Sequence, residues 1–137
     1  VYSHTATHPW DPWSNLVTWV DGDNPRFGPA DALRELVDSK RLLEDKLGRP
    51  APYLAWPVGW YNDRLIKMAK QAGYEGLLTA EDGANGSGDD AYQIRRLFVD
   101  GACDLNAFIR LINSHRYEPC AQGAWVTRGH SPAPYRR

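Results

Sequence analysis

Two histidines four residues apart, in the run His4-Thr5-Ala6-Thr7-His8-Pro9-Trp10, are the side chains of this sequence best suited to chemistry. On a helical turn, positions i and i+4 lie one above the other. Both imidazoles then reach one divalent cation at about 2.0–2.1 Å. Two imidazoles are half a ligand set, because a working centre needs a third group and an open position. The nearest carboxylates are Asp11, Asp21 and Asp23, with Pro9 and Pro12 bending the chain around the first of them. Zinc, nickel, cobalt and iron all suit two imidazoles completed by oxygen ligands. The same spacing also fits an ordinary surface loop, so the pair gains meaning only from its company.

Aromatic residues are part of that company. Trp10, Trp13, Trp56 and Trp60, four of the six tryptophans, flank the candidate motifs. An indole outside a core offers a flat apolar face to a sugar ring and an N–H to a hydroxyl. Trp19 and Trp125 read instead as core residues. Charge excludes one class: Lys+Arg 16 against Asp+Glu 17, net −1, leaves no basic stripe for a nucleic acid. No apolar run reaches the length of a membrane span, and none reads as a signal peptide. The only cysteines, Cys103 and Cys120, fit one disulfide in an oxidising compartment or two thiols.

The elements that must position these residues follow an alternating rhythm. Residues 9–28, rich in Trp, Pro, Asp, Asn and Gly, read as a long loop beside the histidines. Pro29 opens a helix over about 30–47, with an apolar stripe of Leu33, Leu36, Val37, Leu43 and Leu47, polar Glu35 and Asp38, and a stop at Gly48 and Pro50. Residues 52–57 form a short strand, and Asn62 caps a helix over about 63–72 that ends at Gly73. A second strand covers 75–80, a Gly/Asp loop 82–90 and a third strand 94–99. Asp104 caps a last helix, about 105–114. This is the rhythm of crossover units on a parallel sheet, but three strands and three helices cannot close a barrel. One α/β unit is expected over 1–115, followed by an extended tail or linker over 116–137.

The run His4-Thr5-x-x-His8-Pro9, taken with Leu54-Ala55-Trp56-Pro57-Val58-Gly59-Trp60-Tyr61-Asn62, resembles the NodB-type polysaccharide deacetylases, carbohydrate esterase family 4. The likeness continues through Ala69-Lys70-Gln71-Ala72-Gly73-Tyr74, Thr79-Ala80-Glu81-Asp82-Gly83 and Ile94-Arg95-Arg96, about residues 2–112 in all. It implies part of a distorted (β/α) barrel, here the C-terminal portion without its N-terminal strands. Loss of an arginine at the position of Ala55 places the chain nearest the branch acting on poly-N-acetylglucosamine exopolysaccharides.

The chemistry so implied is metal-assisted hydrolysis of N-acetyl groups on a polysaccharide. His4 and His8 would hold one divalent ion, zinc foremost, with the Val58 backbone N–H as oxyanion donor where the family usually has tyrosine. Trp10, Trp56, Trp60 and Tyr61 would contact the sugar. The family's Asp-Asp motif, which carries the base and the third ligand, precedes the histidines and is expected from a missing N-terminal part of the domain. Asp89-Asp90 is the only such pair here, and its Gly/Ser setting marks a solvated turn. No late acid histidine is recognisable, since His115 and His130 follow no apolar strand. Glu81 and Asp82 sit at a strand end where ligands gather or loops are capped, and Arg95 and Arg96 read as scaffold. The resemblance implies a periplasmic, envelope or secreted protein. The competing reading is a carbohydrate-binding or scaffold relic of the same fold that performs no hydrolysis.

Overall fold

The computed structural model describes residues 1–116 of the 137. Strands β1 (Trp10–Asp11) and β2 (Ser14–Asn15) form a small antiparallel hairpin that leads into α1 (Leu16–Asp21). Helix α2 (Pro29–Leu47) crosses to β3 (Tyr53–Ala55), and a 3-10 turn (Pro57–Gly59) precedes α3 (Asp63–Gln71). Strand β4 (Gly76–Leu78) pairs in parallel with β3, Leu54 opposite Leu77. Single parallel bridges extend this pair on both sides, Ser3 to Leu54 and Leu78 to Ile94. Helix α4 (Leu105–Ser114) closes the described chain.

The three long helices form where capping and periodicity place them. Asn62 accepts the Leu65 N–H at the start of α3, and Asp104 accepts the Ala107 N–H at the start of α4. Pro29 sits in the first turn of α2, and Gly48 ends that helix in the left-handed region at φ 62. Leu16, Trp19, Val20, Ala32, Leu36, Leu54, Trp56, Leu65, Ala69, Tyr74 and Leu77 form one core cluster between the helices and the β3–β4 pair.

Three expectations are corrected. The segment 9–28 is not a continuous loop, because it holds the hairpin and α1. Asn15 accepts the Val17 and Thr18 N–H groups while the Thr18 hydroxyl accepts the Asn15 N–H, a reciprocal cap that starts the helix. Residues 94–99 do not form a strand. Asn85 exchanges two side-chain hydrogen bonds with the Arg95 backbone and Glu81 takes the Arg96 N–H, so the loop occupies the groups a strand would need. The buried stripe of α2 is Ala32, Glu35, Leu36 and Ser39, rotated from the expected one, with Val37 and Leu47 exposed. The rotation has a polar cause. Ser39 Oγ receives the Ser3 hydroxyl at 2.9 Å and Glu35 receives the loop that follows Ser3. The expected tail and the Cys103–Cys120 pairing both involve residues beyond 116 and lie outside the described residues, as does Trp125. Among the described residues no helix is long and apolar enough to cross a membrane.

Candidate functional site

The two histidines reach the carboxyl end of the parallel strands, where open α/β sheets place their ligands. Ser3 donates its N–H to Tyr53 O and accepts from Ala55 N, at 3.0 and 2.9 Å, which sets His4 beside the end of β3. The segment then folds back, but not as the helical turn expected from the spacing. Thr5 and His8 both adopt the left-handed region, at φ 67 and 56, and the Thr5 hydroxyl accepts the His8 N–H at 3.2 Å. By this route the two imidazoles meet with ring centroids 4.7 Å apart and planes tilted by 53°. Two imidazoles sharing one ion at the usual bond length have centroids about 5 Å apart.

The tautomer of His4 follows from its partner. Its Nδ1 lies 2.7 Å from Ala55 O, an atom that only accepts, so Nδ1 carries the proton and donates it. The Nε2 lone pair is then left facing outward, the arrangement in which a backbone carbonyl orients a ligand histidine. The pair therefore fits a divalent ion as two of its ligands. Among the described residues no group of three or more His, Cys, Asp or Glu side chains is placed to complete a site. Asp11 Oδ1 caps its own turn by taking the Trp13 N–H at 2.7 Å, and Asp21 takes the Asn62 amide at 3.1 Å.

The turn after β3 contributes backbone. Val58 sits at φ 56, ψ 3, a left-handed conformation that a β-branched residue rarely adopts. Such strain costs on the order of 1–3 kcal/mol and collects at functional sites. Gly59 follows at φ 77, and a Cβ there would lie 2.4 Å from the Ala80 Cβ, so only glycine fits. Among the described residues, four non-glycine residues have positive φ: Thr5, His8 and Val58 belong to these two neighbouring segments, and His115 ends α4.

The aromatic residues divide. Trp10 is 60% exposed, and Trp60 is half-buried at the end of the turn. Trp56 is a correction: it is 0% exposed, in the core against Tyr61 at 6.0 Å, and presents no face to a sugar. Tyr61 is a second correction, being buried with its hydroxyl donated to Glu81 Oε1 at 2.7 Å. Both belong to the core cluster, where their rings stack at an interplanar angle of 9°. Trp56 Nε1 is buried without a hydrogen-bond partner among the described residues. Glu81 is thus a loop-holding carboxylate, and Arg96 donates its Nε–H to Thr79 O as scaffold, with burial lowering its pKa. Asp89 and Asp90 are exposed and cap their own turn at Gly86 and Tyr92.

Sequence reasoning missed Glu35. Treated as a polar-face residue of α2, it is 8% exposed and binds the histidine loop. Its Oε2 accepts the Ala6 and Thr7 N–H groups, each at 2.8 Å, and its Oε1 accepts the Thr7 hydroxyl at 2.7 Å. Reading Ala32, Glu35, Leu36 and Ser39 as the i, i+3, i+4, i+7 stripe would have exposed it. Beyond it, a groove of about 560 Å³ runs from Thr7 and His8 past Trp10 to Asp31 and Arg34.

A parallel α/β unit carries a paired-histidine loop and a strained turn at its strand ends, and comparison with known proteins gives it a family. The polysaccharide deacetylase family profile matches residues 1–77, and the chain belongs to that family. YxkH of Bacillus subtilis (strain 168), named as a polysaccharide deacetylase, is 30% identical over 86 residues, which cover 63% of this chain and 31% of YxkH. BC0361, a polysaccharide deacetylase from Bacillus cereus, shares the fold at TM-score 0.59 and 25% identity, over 82% of this chain and 31% of that one. The Streptococcus pyogenes deacetylase PplD superposes at TM-score 0.63 and 21% identity, over 80% and 42%. The chain thus spans about a third of YxkH and less than half of either solved relative.

Proposed function

We propose that this chain forms the C-terminal, metal-binding part of a polysaccharide N-deacetylase domain, with His4 and His8 as two ligands of one divalent ion, zinc first among the candidates. The observation that carries the reading is the convergence of the two rings at 4.7 Å with His4 Nδ1–H spent on Ala55 O. A divalent ion held there supplies Lewis-acid polarisation of an N-acetyl carbonyl and lowers the pKa of water. The Val58 N–H, at the strained turn, is the oxyanion donor, and Trp10 and Trp60 are the sugar-facing aromatics. The third ligand, the base and the acid come from outside the described residues. That assignment is supported by the lack of a third ligand among them and by the greater length of the relatives. The substrate in this reading is an N-acetylglucosamine polymer, supported by alanine at position 55 where the resembled family usually has arginine, and its place outside the cytoplasm rests on the family resemblance alone.

The test is zinc uptake by chelator competition and acetate release from N-acetylglucosamine oligomers, measured on the protein that carries this sequence. His4→Ala and His8→Ala are each expected to lower zinc affinity and abolish acetate release. Full turnover in both variants would overturn the assignment. Zinc uptake by the parent without turnover would favour the non-catalytic glycan-binding relic.

A further inference from the structure

We infer that Glu35 is the positioning residue of the histidine pair: its carboxylate holds residues 4–8 in the folded-back shape that brings the two rings together. The proposal rests on the metal-binding reading only for its consequence, and the loop geometry itself is independent of any ion.

The loop has little else to keep its form. It is not helical, His4, Ala6, Thr7 and His8 are all exposed, and Thr5 and His8 are both held at positive φ. A β-branched threonine and a histidine stay in that region only where neighbouring contacts over-determine them. Inside the loop the one side-chain bond is Thr5 Oγ1 to the His8 N–H, long at 3.2 Å. From outside, His4 Nδ1 is tied to Ala55 O, and Ala6 and Thr7, between the two histidines, are tied to Glu35. Three donors converge on one carboxylate: two consecutive backbone N–H groups on Oε2 and a hydroxyl on Oε1, all at 2.7–2.8 Å. Bonds to an ionised acceptor are about twice as strong as neutral ones.

Glu35 is also well anchored itself. It lies in the middle of the nineteen-residue α2, one residue before the fully buried Leu36 and three after the fully buried Ala32. Ser39, four residues on, donates to Glu35 O at 2.7 Å and receives Ser3, so the same helical face grips the chain just before the loop as well. Groups bonded directly to metal ligands are worth about 10–100-fold in metal affinity, and Glu35 acts on the short loop that carries both ligands.

The experiment compares the whole protein that carries this sequence with its Glu35→Ala, Glu35→Gln and His4→Ala variants. Amide exchange at Ala6 and Thr7 and ring-to-ring NOEs between His4 and His8 are read first, by NMR without metal. Glu35→Ala is expected to lower protection at both amides at least about tenfold and erase the NOEs, with amides of α2 and α3 unchanged. Glu35→Gln is expected to restore most of both, since its oxygen accepts the two N–H groups and its amide donates to Thr7 Oγ1. Unchanged protection and NOEs in Glu35→Ala would overturn the proposal. Equal loss of protection throughout α2 would also overturn it, because Glu35 would then serve the fold and not the loop. Zinc competition follows, with affinity expected to fall about 10–100-fold in Glu35→Ala and to recover in Glu35→Gln. A zinc affinity that collapses in His4→Ala but is untouched in Glu35→Ala would overturn the positioning role and leave the metal reading intact. Failure of the whole protein that carries this sequence to take up zinc, with the loop data as expected, would sink the metal reading and leave the tether standing.

Discussion

The histidine loop and the core beneath it are built on opposite terms. The core pairs β3 with β4 and buries Leu54, Trp56 and Leu77 completely, all in ordinary strand or turn conformations. The loop and the Val58–Gly59 end of the turn lie on its edge, exposed or half-buried, with three non-glycine residues at positive φ. Apolar contact stabilises the first region, and directed polar bonds from Glu35, Ala55 and Thr5 hold the second. The strained turn and loop rest against a closely packed core. The two regions also show why residue type alone misleads: both contain tryptophan, yet Trp10 is 60% exposed and Trp56 is 0% exposed.

The contrast is broken most sharply at those two indoles. Trp56→Ala is expected to cost about 3–5 kcal/mol in urea unfolding, the usual range for truncating a buried aromatic. Trp10→Ala should stay within about 0.5 kcal/mol while weakening glycan binding. Equal destabilisation by the two would erase the distinction between edge and core. A smaller effect sharpens it at the turn. Val58→Gly keeps the N–H and relieves the left-handed strain, so stability should rise by up to about 1 kcal/mol. A clear loss would mean that the isopropyl group packs like a core residue. Val58→Pro is a poor probe of the donor, because proline fixes φ near about −65° and cannot occupy this turn.

The smallest effect tests a polar tether at the far end of α2. Glu44 accepts Lys40 Nζ at 2.6 Å and the Ala51 N–H at 3.0 Å, just before β3. The Lys40 hydrogen bond first, and the Ala51 N–H next, hold its pKa below the ordinary 4.5. A lowered folded-state pKa contributes stability that is present above the unfolded value and lost as pH falls through the folded one. Glu44→Gln should therefore be less stable than the parent near neutral pH, with the gap closing on acidification below about 4.5. A gap that persists in acid would show that the side chain acts by packing.

What was legible in the sequence was what few neighbouring residues encode. Pro29 and Gly48 bound α2, Asn62 and Asp104 start α3 and α4, and Asp89-Asp90 caps its own turn. The β3–β4 crossover followed from the same alternation. α1 was missed although its cap is local, because the surrounding Trp, Pro and Gly residues masked the Asn15–Thr18 pair. The strand expected at 94–99 failed because a loop side chain, Asn85, took its backbone groups.

By itself, then, the sequence determined helices α2, α3 and α4, the parallel rhythm and the presence of a histidine pair, since each depends on caps, periods and spacing within a few residues. Tertiary structure alone decided that the pair converges without a helix, that Glu35 faces the loop, and that Trp56 belongs to the core. Those outcomes rest on bonds such as Thr7 to Glu35 and His4 to Ala55, 28 and 51 residues apart. No local pattern encodes such bonds, because they form only after α2 has packed on the sheet and chosen which face it buries.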